Sequence, residues 1–119
     1  MEPLGIHHVN VTVGDATEAR DFYVDILGLT PRTDRPDFPF AGWWLDVGAQ
    51  QVHLVVGVPQ TENSGDHFAI RVADLDSAVA ELRDRGLRVT DPRGVGANRQ
   101  SFLRDPWGNR IELQEVGAV

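Results

Sequence analysis

Two stretches of the chain alternate between apolar and polar residues, and a helical pattern follows each of them. In HVNVTV, residues 8–13, the three valines fall on one face of a strand and the polar residues on the other. Asp15 then fits a helix N-cap, and apolar residues recur at helical spacing as far as Gly28. HFAIR, Asp74 and Gly86 repeat this order in the second half. The pattern predicts a strand followed by a helix in both halves.

The rest of the first half predicts two further strands. Residues 31–42 contain three prolines and no periodicity, which is typical of a loop. WWLDV (43–47) and QVHLVV (51–56) are typical of strands, with GAQ as the turn between them. A polar stretch, residues 58–65, predicts a linker to the second half.

The second half ends with a comparable set of elements. We expect a short strand at residues 87–90, followed by a loop that contains Pro92, Gly94 and Gly96. QSFLRD and NRIELQEV predict the last two strands, and DPWG predicts the turn that joins them.

One offset of 59 residues relates many positions of the two halves. It joins His8 to His67, Asp15 to Asp74, Ala19 to Ala78, Asp46 to Asp105, and His53 to Glu112. The sequence therefore predicts two tandem βαβββ units within a single domain, residues 1–119. Unit one covers about 5–57 and unit two about 66–117. The predicted fold is α+β, a curved mixed sheet with helices on its outer face and the site on its concave face.

Four polar side chains fall at matching places of the two predicted units. His8 and His67 begin equivalent strands, and His53 and Glu112 lie on the last strand of each unit. In every case the neighbouring apolar residues must face the helix, so these four side chains point the other way. Three imidazoles and one carboxylate favour a divalent transition metal. His7 falls on the opposite face and breaks the offset, so we interpret it as structural.

Composition excludes several classes of protein. The 119 residues carry a formal net charge of −7, which argues against a nucleic-acid surface and gives no support to membrane binding. There is no cysteine, so disulfides, thiolate metal sites and a cysteine nucleophile are excluded. Apolar runs are far shorter than the ~20 residues that span a bilayer, and MEPLGI does not resemble a signal peptide. We expect a cytoplasmic protein.

The chain resembles the vicinal oxygen chelate superfamily, which includes glyoxalases, bleomycin-resistance proteins and extradiol dioxygenases. The resemblance rests on IHHVNVTVGD and FYVDILGL near the start, DHFAIRVADLD in the middle, and FLRDPWGNRIELQE at the end. It implies that His8, His67 and Glu112 fall on ligand positions of the family, with His53 on a fourth, more variable position. It also implies one divalent metal per site, Zn, Ni, Fe, Co or Mn, and a catalytic role for Glu112 in proton transfer.

The resemblance leaves three functions open. The four ligands favour the hypothesis of a metal-dependent lyase or isomerase of the glyoxalase type that acts on a small oxygenated metabolite. A metal-free protein that sequesters an antibiotic, similar to bleomycin-resistance proteins, is the alternative. An Fe(II) extradiol-type dioxygenase is a further alternative, although such enzymes usually need two histidines and one glutamate, so His53 speaks mildly against it.

Substrate selection is expected in residues around the ligands. The candidates for the pocket are Asn10, Thr12, Phe40, Trp43, Trp44, Arg71, Arg99 and Ser101. Trp43 and Trp44 are adjacent on one predicted strand, so at most one of them can line the pocket. The family resemblance implies a homodimer, in which ligands are shared between chains or lie within one chain. A small-molecule substrate is expected, with no nucleic acid and no membrane as partner.

Overall fold

A computed structural model of the chain describes residues 1–59 and 65–117. The chain divides into two compact units, Met1–Gln60 and Thr61–Val119. Both are βαβββ units, which confirms the predicted duplication and the α+β class. The predicted linker, residues 58–65, lies largely outside the described residues, and the predicted unit boundaries stay a prediction.

The first unit contains one helix and four strands. Its elements are β1 (His8–Val13), α1 (Ala16–Arg20, continued by a π-helical segment Asp21–Ile26), β2 (Thr30–Pro31), β3 (Gly42–Val47) and β4 (Gln50–Val56). The strands form one mixed sheet in the order β1-β4-β3-β2. The predicted loop is confirmed between β2 and β3, although the two-residue strand β2 was not predicted.

Local chemistry explains where α1 begins and ends. The Asp15 carboxylate accepts a hydrogen bond from the Glu18 amide at 2.8 Å, which satisfies a backbone donor that the first turn leaves without a helical partner. Gly28 follows the helix with φ 82°, a left-handed conformation that glycine adopts without a steric cost. Ala19, Phe22 and Tyr23 are buried against the sheet. The helix therefore covers one face of the sheet, here called the helix face, and the opposite face is called the distal face.

Register in the first sheet sets which residues share each face. β1 pairs in parallel with β4, so Asn10 lies opposite His53 and Val11 opposite Leu54. β3 pairs with β4 in antiparallel fashion, with Trp44 opposite His53. Because alternate residues face opposite ways, the buried Leu54 lies on the helix face. Asn10, Trp44 and His53 accordingly lie on the distal face.

The second unit repeats this architecture. Its elements are β5 (His67–Arg71), α2 (Leu75–Asp84), β6 (Arg93–Val95), β7 (Asn98–Arg104) and β8 (Arg110–Glu115). The sheet order is β5-β8-β7-β6, the same as in the first unit. Asp74 caps α2 by accepting from the Ser77 amide at 3.0 Å, and Gly86, with φ 85°, follows the helix end. The helix and its cap are thus confirmed.

The strand predicted at residues 87–90 is wrong. Thr90 makes one backbone hydrogen bond to Phe102, 2.9 Å long, but residues 87–90 form no ladder. The second strand of the unit is instead Arg93–Val95, inside the segment that its glycines and proline had marked as a loop. Arg93–Val95 is short and all three of its residues are exposed, so it lacks the apolar alternation that predicts a strand.

The offset of 59 residues relates the β1–β4 pair to the β5–β8 pair. Between β3 and β7 the offset is 58. In β1–β4, Asn10 pairs with His53, and in β5–β8, Ala69 pairs with Glu112, which is the same register displaced by 59. In β7–β8, however, Arg104 rather than Asp105 occupies the place that Asp46 has in β3. The expected match of Asp46 with Asp105 is therefore wrong. Five residues lie between the paired Arg104 and Arg110, whereas four lie between the equivalent pair, Asp46 and Gln51, so the β7–β8 connection has one extra residue.

Asp105 instead holds that turn together. Its carboxylate accepts hydrogen bonds from the backbone amides of Trp107 and Asn109 and from the Asn109 side chain, at 2.8 to 3.0 Å.

Across the part of the chain that the structure describes, no helix is long and apolar enough to cross a membrane.

Candidate functional site

The distal face of the first sheet carries a cluster of histidines. The His8 and His53 rings stack with centroids 3.9 Å apart and planes 15° from parallel. His53 is 7% exposed, because Trp44 stacks on it with centroids 4.4 Å apart. The two predicted ligands of unit one are therefore in contact, which alternation on β1 and β4 predicted.

His7 also belongs to this cluster, contrary to the sequence interpretation. Its Nδ1 lies 2.8 Å from His8 Nδ1, and its ring lies 6.5 Å from that of His53. His7 precedes β1 (His8–Val13), so strand alternation does not fix the direction of its side chain. The expected placement of His7 on the opposite face is therefore wrong, and its structural role stays a prediction.

The protonation of His53 follows from one hydrogen bond. Its Nε2 lies 2.8 Å from Gln51 Oε1, and since an amide oxygen only accepts, Nε2 carries the hydrogen. Nδ1 therefore keeps the lone pair that a metal needs. Burial lowers the pKa of His53 below its usual range, and the nearby charges of His8 and His7 lower it further. His53 is thus held neutral, which is the state that a metal ligand requires.

The second sheet brings His67 and Glu112 together. His67 Nε2 lies 3.3 Å from Glu112 Oε1, and Glu112 is 8% exposed. The other ring nitrogen, Nδ1, lies 2.9 Å from the backbone oxygen of Gly65, so Nδ1 donates and Nε2 keeps its lone pair in the neutral ring. Two electron-pair donors then face each other, and a proton or a metal cation between them would relieve their repulsion.

This pair passes a simple test of fit to a metal. Nitrogen and oxygen ligands about 2.1 Å from one metal ion lie about 3 to 3.4 Å apart, depending on the angle between them. The observed 3.3 Å falls in that range. The bond from His67 Nδ1 to a backbone carbonyl is also the usual orientation of a metal-bound histidine.

The structure brings the four predicted ligands together as two separate pairs. Within residues 1–59 and 65–117, no group of three or more histidine, aspartate or glutamate side chains is arranged to hold a metal ion. His8 contacts His53, and His67 contacts Glu112. A single centre made from all four residues therefore stays a prediction.

The pocket candidates of unit one divide between the two faces of the sheet. Trp44 stacks on His53, whereas the Trp43 indole donates to the backbone oxygen of Ala16 in α1 at 2.9 Å. Trp43 thus faces the helix, and only Trp44 accompanies the histidines. Phe40 is 44% exposed and stacks on Phe38, whose ring centroid lies 6.0 Å from that of Trp44. Asn10 and Thr12 share the distal face with His8 by strand alternation.

Two pocket candidates of unit two are wrong. Arg99 donates to both carboxylate oxygens of Asp76 in α2, at 3.0 Å each, so it lies on the helix face. Ser101 pairs with Leu113 and is fully buried on that same face. Leu103 is buried on the helix face, and alternation along β7 places Ser101 and Arg99 on the same face. The residues before Leu103 have no regular apolar pattern, so the sequence did not reveal this placement. Arg71, by contrast, is exposed on β5 and shares the distal face with His67.

Sequence reasoning missed two residues that contact the predicted ligands. Gln51 bonds His53, and Phe102 meets the His67 ring edge-on with centroids 5.5 Å apart. Gln51 lies two residues before His53 on the same strand, so the period of two was a signal for it. Phe102 is placed by its pairing with Glu112 across β7 and β8, which the sequence does not specify.

Two βαβββ units of one topology, each with a pair of potential ligands on its distal face, define a duplicated α+β protein of the vicinal oxygen chelate type. The sequence profile described as the Glyoxalase/Bleomycin resistance protein/Dioxygenase superfamily matches residues 5–113, and the chain belongs to that superfamily.

Individual relatives span nearly the whole chain. A Synechocystis protein described as a probable lactoylglutathione lyase is 29% identical over 93% of this chain and 95% of its own length. The structure of a Bacillus anthracis protein assigned to the glyoxalase family superposes with a TM-score of 0.87 and 29% identity, covering 98% of both chains. TnmS3, an antibiotic binding protein from a Streptomyces species, superposes with a TM-score of 0.76 and 28% identity, also covering 98% of both chains. Enzyme and binding-protein names thus both occur among proteins similar to this one.

Proposed function

We propose that the protein is a metal-dependent lyase or isomerase of the glyoxalase type that acts on a small oxygenated metabolite. The observation that carries the proposal is the contact of His67 Nε2 with Glu112 Oε1 at 3.3 Å, with His67 Nδ1 bonded to a carbonyl. Similarity to proteins described as lactoylglutathione lyases supports the reaction class.

The donor set selects the kind of metal. His8, His53 and His67 would supply imidazole nitrogens and Glu112 a carboxylate oxygen, a combination that suits Zn, Ni, Fe, Co or Mn. His53 is neutral and keeps a lone pair on Nδ1. When bound, such a metal supplies Lewis acidity to a substrate carbonyl.

Glu112 would carry the proton transfer. Glu112 is almost fully buried beside His67, so water has little access to the carboxylate oxygen that would accept the proton. In the proposed reaction Glu112 accepts a proton from the carbon next to the substrate carbonyl and returns one at the neighbouring carbon. Burial also strengthens the interaction of the carboxylate with any positive charge close to it.

The complete site would form in a homodimer. His8 and His53 belong to unit one, whereas His67 and Glu112 belong to unit two, and a two-fold axis can bring unit one of one chain to unit two of its partner. Each unit presents one ligand pair, so a complete site needs a unit one and a unit two, from two chains or from one chain.

Elemental analysis of the purified protein tests the proposal. We expect about one transition-metal ion per chain, and Glu112→Gln should weaken metal binding by more than the roughly 10- to 100-fold that loss of an outer-shell partner causes. Glu81→Gln, at an exposed position of α2, is the matched control and should keep its metal. A protein that takes up no transition metal after dialysis against each candidate ion would overturn the proposal.

A second function, metal-free antibiotic binding, is favoured by one specific observation. Phe40, Phe38 and Trp44 follow one another in ring contact at 4.9 and 6.0 Å beside His53, and such rings can stack on a planar ligand. The antibiotic binding protein TnmS3 shares the fold. Binding of an aromatic antibiotic such as bleomycin that persists after chelator treatment, and weakens in Trp44→Ala, would favour this function.

A further inference from the structure

The distal face of the second sheet is positively charged, in a chain whose formal net charge is −7. The register places Arg110 of β8 between His67 of β5 and Arg104 of β7. The next row contains Ala69, Glu112 and Phe102. Among the paired residues of this face, Glu112 is the only acidic side chain that the structure describes.

The guanidinium group of Arg110 is held in a defined place. Its Cζ lies 4.0 Å from the centroid of the Phe102 ring, and that ring meets His67 edge-on at 5.5 Å. Stacking on an aromatic face leaves the N–H donors at the edge of a guanidinium group available. Arg110 is half-buried, so the donors are presented with less side-chain freedom than on an exposed arginine.

Two other arginines of this unit have acidic partners, whereas Arg104 and Arg110 have none among the residues that the structure describes. Arg83 pairs with Asp91 at 2.8 Å, and Arg99 pairs with Asp76 at 3.0 Å. Within residues 1–59 and 65–117, the structure contains no ion pair of Arg104 or Arg110. The two are directly opposite in the β7–β8 ladder. Like charges opposite each other destabilise a sheet, and a bound anion would relieve that repulsion.

We propose that Arg110, assisted by Arg104, forms an anion subsite beside the His67–Glu112 pair. The ligand that it takes is a small molecule with a carboxylate or phosphate group, because a guanidinium edge matches two oxygens of either group. Arg71 lies outside this subsite, since its partner Gln114 is four positions from Arg110 on β8, or about 13 Å along the strand.

The subsite also narrows the substrate of the proposed reaction, and this part rests on the proposed function. A substrate whose carbonyl lies at His67 and Glu112 would place its anionic group at Arg110, which pairs with His67 across β5 and β8 and lies two positions before Glu112. The expected substrate class is therefore a short oxygenated molecule that carries a carboxylate or a phosphate close to its reacting carbons.

Phosphate and malonate titrations of chelator-treated protein test the subsite without the metal. We expect amide resonances of His67, Phe102 and Arg110 to shift in ¹⁵N-correlated NMR spectra as inorganic phosphate or malonate is added. In Arg110→Gln the dissociation constant should rise at least about 10-fold, as for loss of a charge-assisted hydrogen bond. The anion that binds more tightly identifies the group.

Three variants keep the test decisive. Arg104→Gln should weaken binding about 3-fold, since it removes an assisting charge. Arg88→Gln removes one positive charge at an exposed position outside the sheet and should leave the dissociation constant within about 2-fold. Arg110→Lys keeps the charge without the planar fork and should fall between wild type and Arg110→Gln.

Two outcomes would overturn the inference. One is a protein to which neither anion binds, and the other is equal binding in wild type, Arg110→Gln and Arg88→Gln. The dispersion of the same spectra shows whether each variant is folded. Since the protein is free of metal in this experiment, a failed subsite and a failed metal centre give different results.

Discussion

The imidazole of His53 stacks on the indole of Trp44, with centroids 4.4 Å apart and planes 8° from parallel. The His8 ring stacks on the same imidazole at 3.9 Å, so His53 lies between two rings and is 7% exposed. This burial is the first cause of its lowered pKa, and the charges of His8 and His7 are the next. A candidate ligand is thereby kept neutral by its neighbours.

The lowered pKa of His53 predicts a loss of stability in mild acid. An unfolded histidine binds its proton near pH 6.5, whereas native His53 binds it only at lower pH. The unfolded state therefore holds more protons as the pH falls below about 6.5, and the free energy of unfolding decreases until the pH passes the lowered pKa. Urea unfolding between pH 7.5 and 5 should show this decrease, and a shallower one in His53→Gln and His53→Phe. Identical slopes in all three proteins would contradict the assignment.

A shared site predicts that two inactive variants complement each other. If the metal lies between unit one of one chain and unit two of its partner, His8→Ala and Glu112→Ala homodimers each lose the metal at both sites. A mixed dimer keeps one site with all four ligands, because both defects fall in the other site. Unfolding the two variants together and refolding them should restore about one metal per mixed dimer.

The control for complementation is each variant refolded alone, which should stay free of metal. If the site instead lies within one chain, every site in the mixed dimer carries one defect. Metal content would then stay at the level of the single variants after mixing. This outcome would remove the shared arrangement while leaving the metal proposal intact.

Gly42 is expected to tolerate no side chain. A Cβ at this position would overlap the backbone oxygen of Leu54 and press against Arg35 Nη2 at 3.2 Å. β3 would then have to move away from β4, which would separate Trp44 from His53. We expect Gly42→Ala to lower the free energy of unfolding by about 1 to 3 kcal/mol, as overpacking usually does.

Gly57→Ala is the matched control for Gly42→Ala. The nearest atom to its Cβ would be Thr12 Cγ2 at 3.4 Å, on a side chain rather than the backbone. Its effect on urea unfolding should stay within about 0.5 kcal/mol. Equal effects of the two substitutions would show that β3 and β4 approach each other less closely than described.

Ser101 predicts a stabilising substitution. Its side chain is fully buried, and its Oγ has no hydrogen-bond partner among the residues that the structure describes. A buried hydroxyl without a partner costs about 1 to 3 kcal/mol, so Ser101→Ala should raise the free energy of unfolding by about 1 kcal/mol. Urea unfolding monitored by circular dichroism measures this difference. A clear loss of stability in the variant would mean that the hydroxyl has a partner.

Most of the fold could be predicted because its signals are local. The alternation in HVNVTV and HFAIR, the caps Asp15 and Asp74, and the glycines after each helix all act within a few residues of themselves. β6 could not be predicted in the same way. Its three residues, Arg93–Val95, are exposed and owe their extended form to pairing with β7.

The sequence by itself determined that the chain is duplicated and that His8, His53, His67 and Glu112 point away from the helices. Both conclusions depend on a period of two along single strands and on one repeated offset. Only the tertiary structure decided that Trp44 rather than Trp43 accompanies His53, that Arg99 and Ser101 face α2, and that Arg110 stacks beside His67. Those neighbours are set by strand register and by the extra residue in the β7–β8 turn, which are long-range features with no local pattern in the chain.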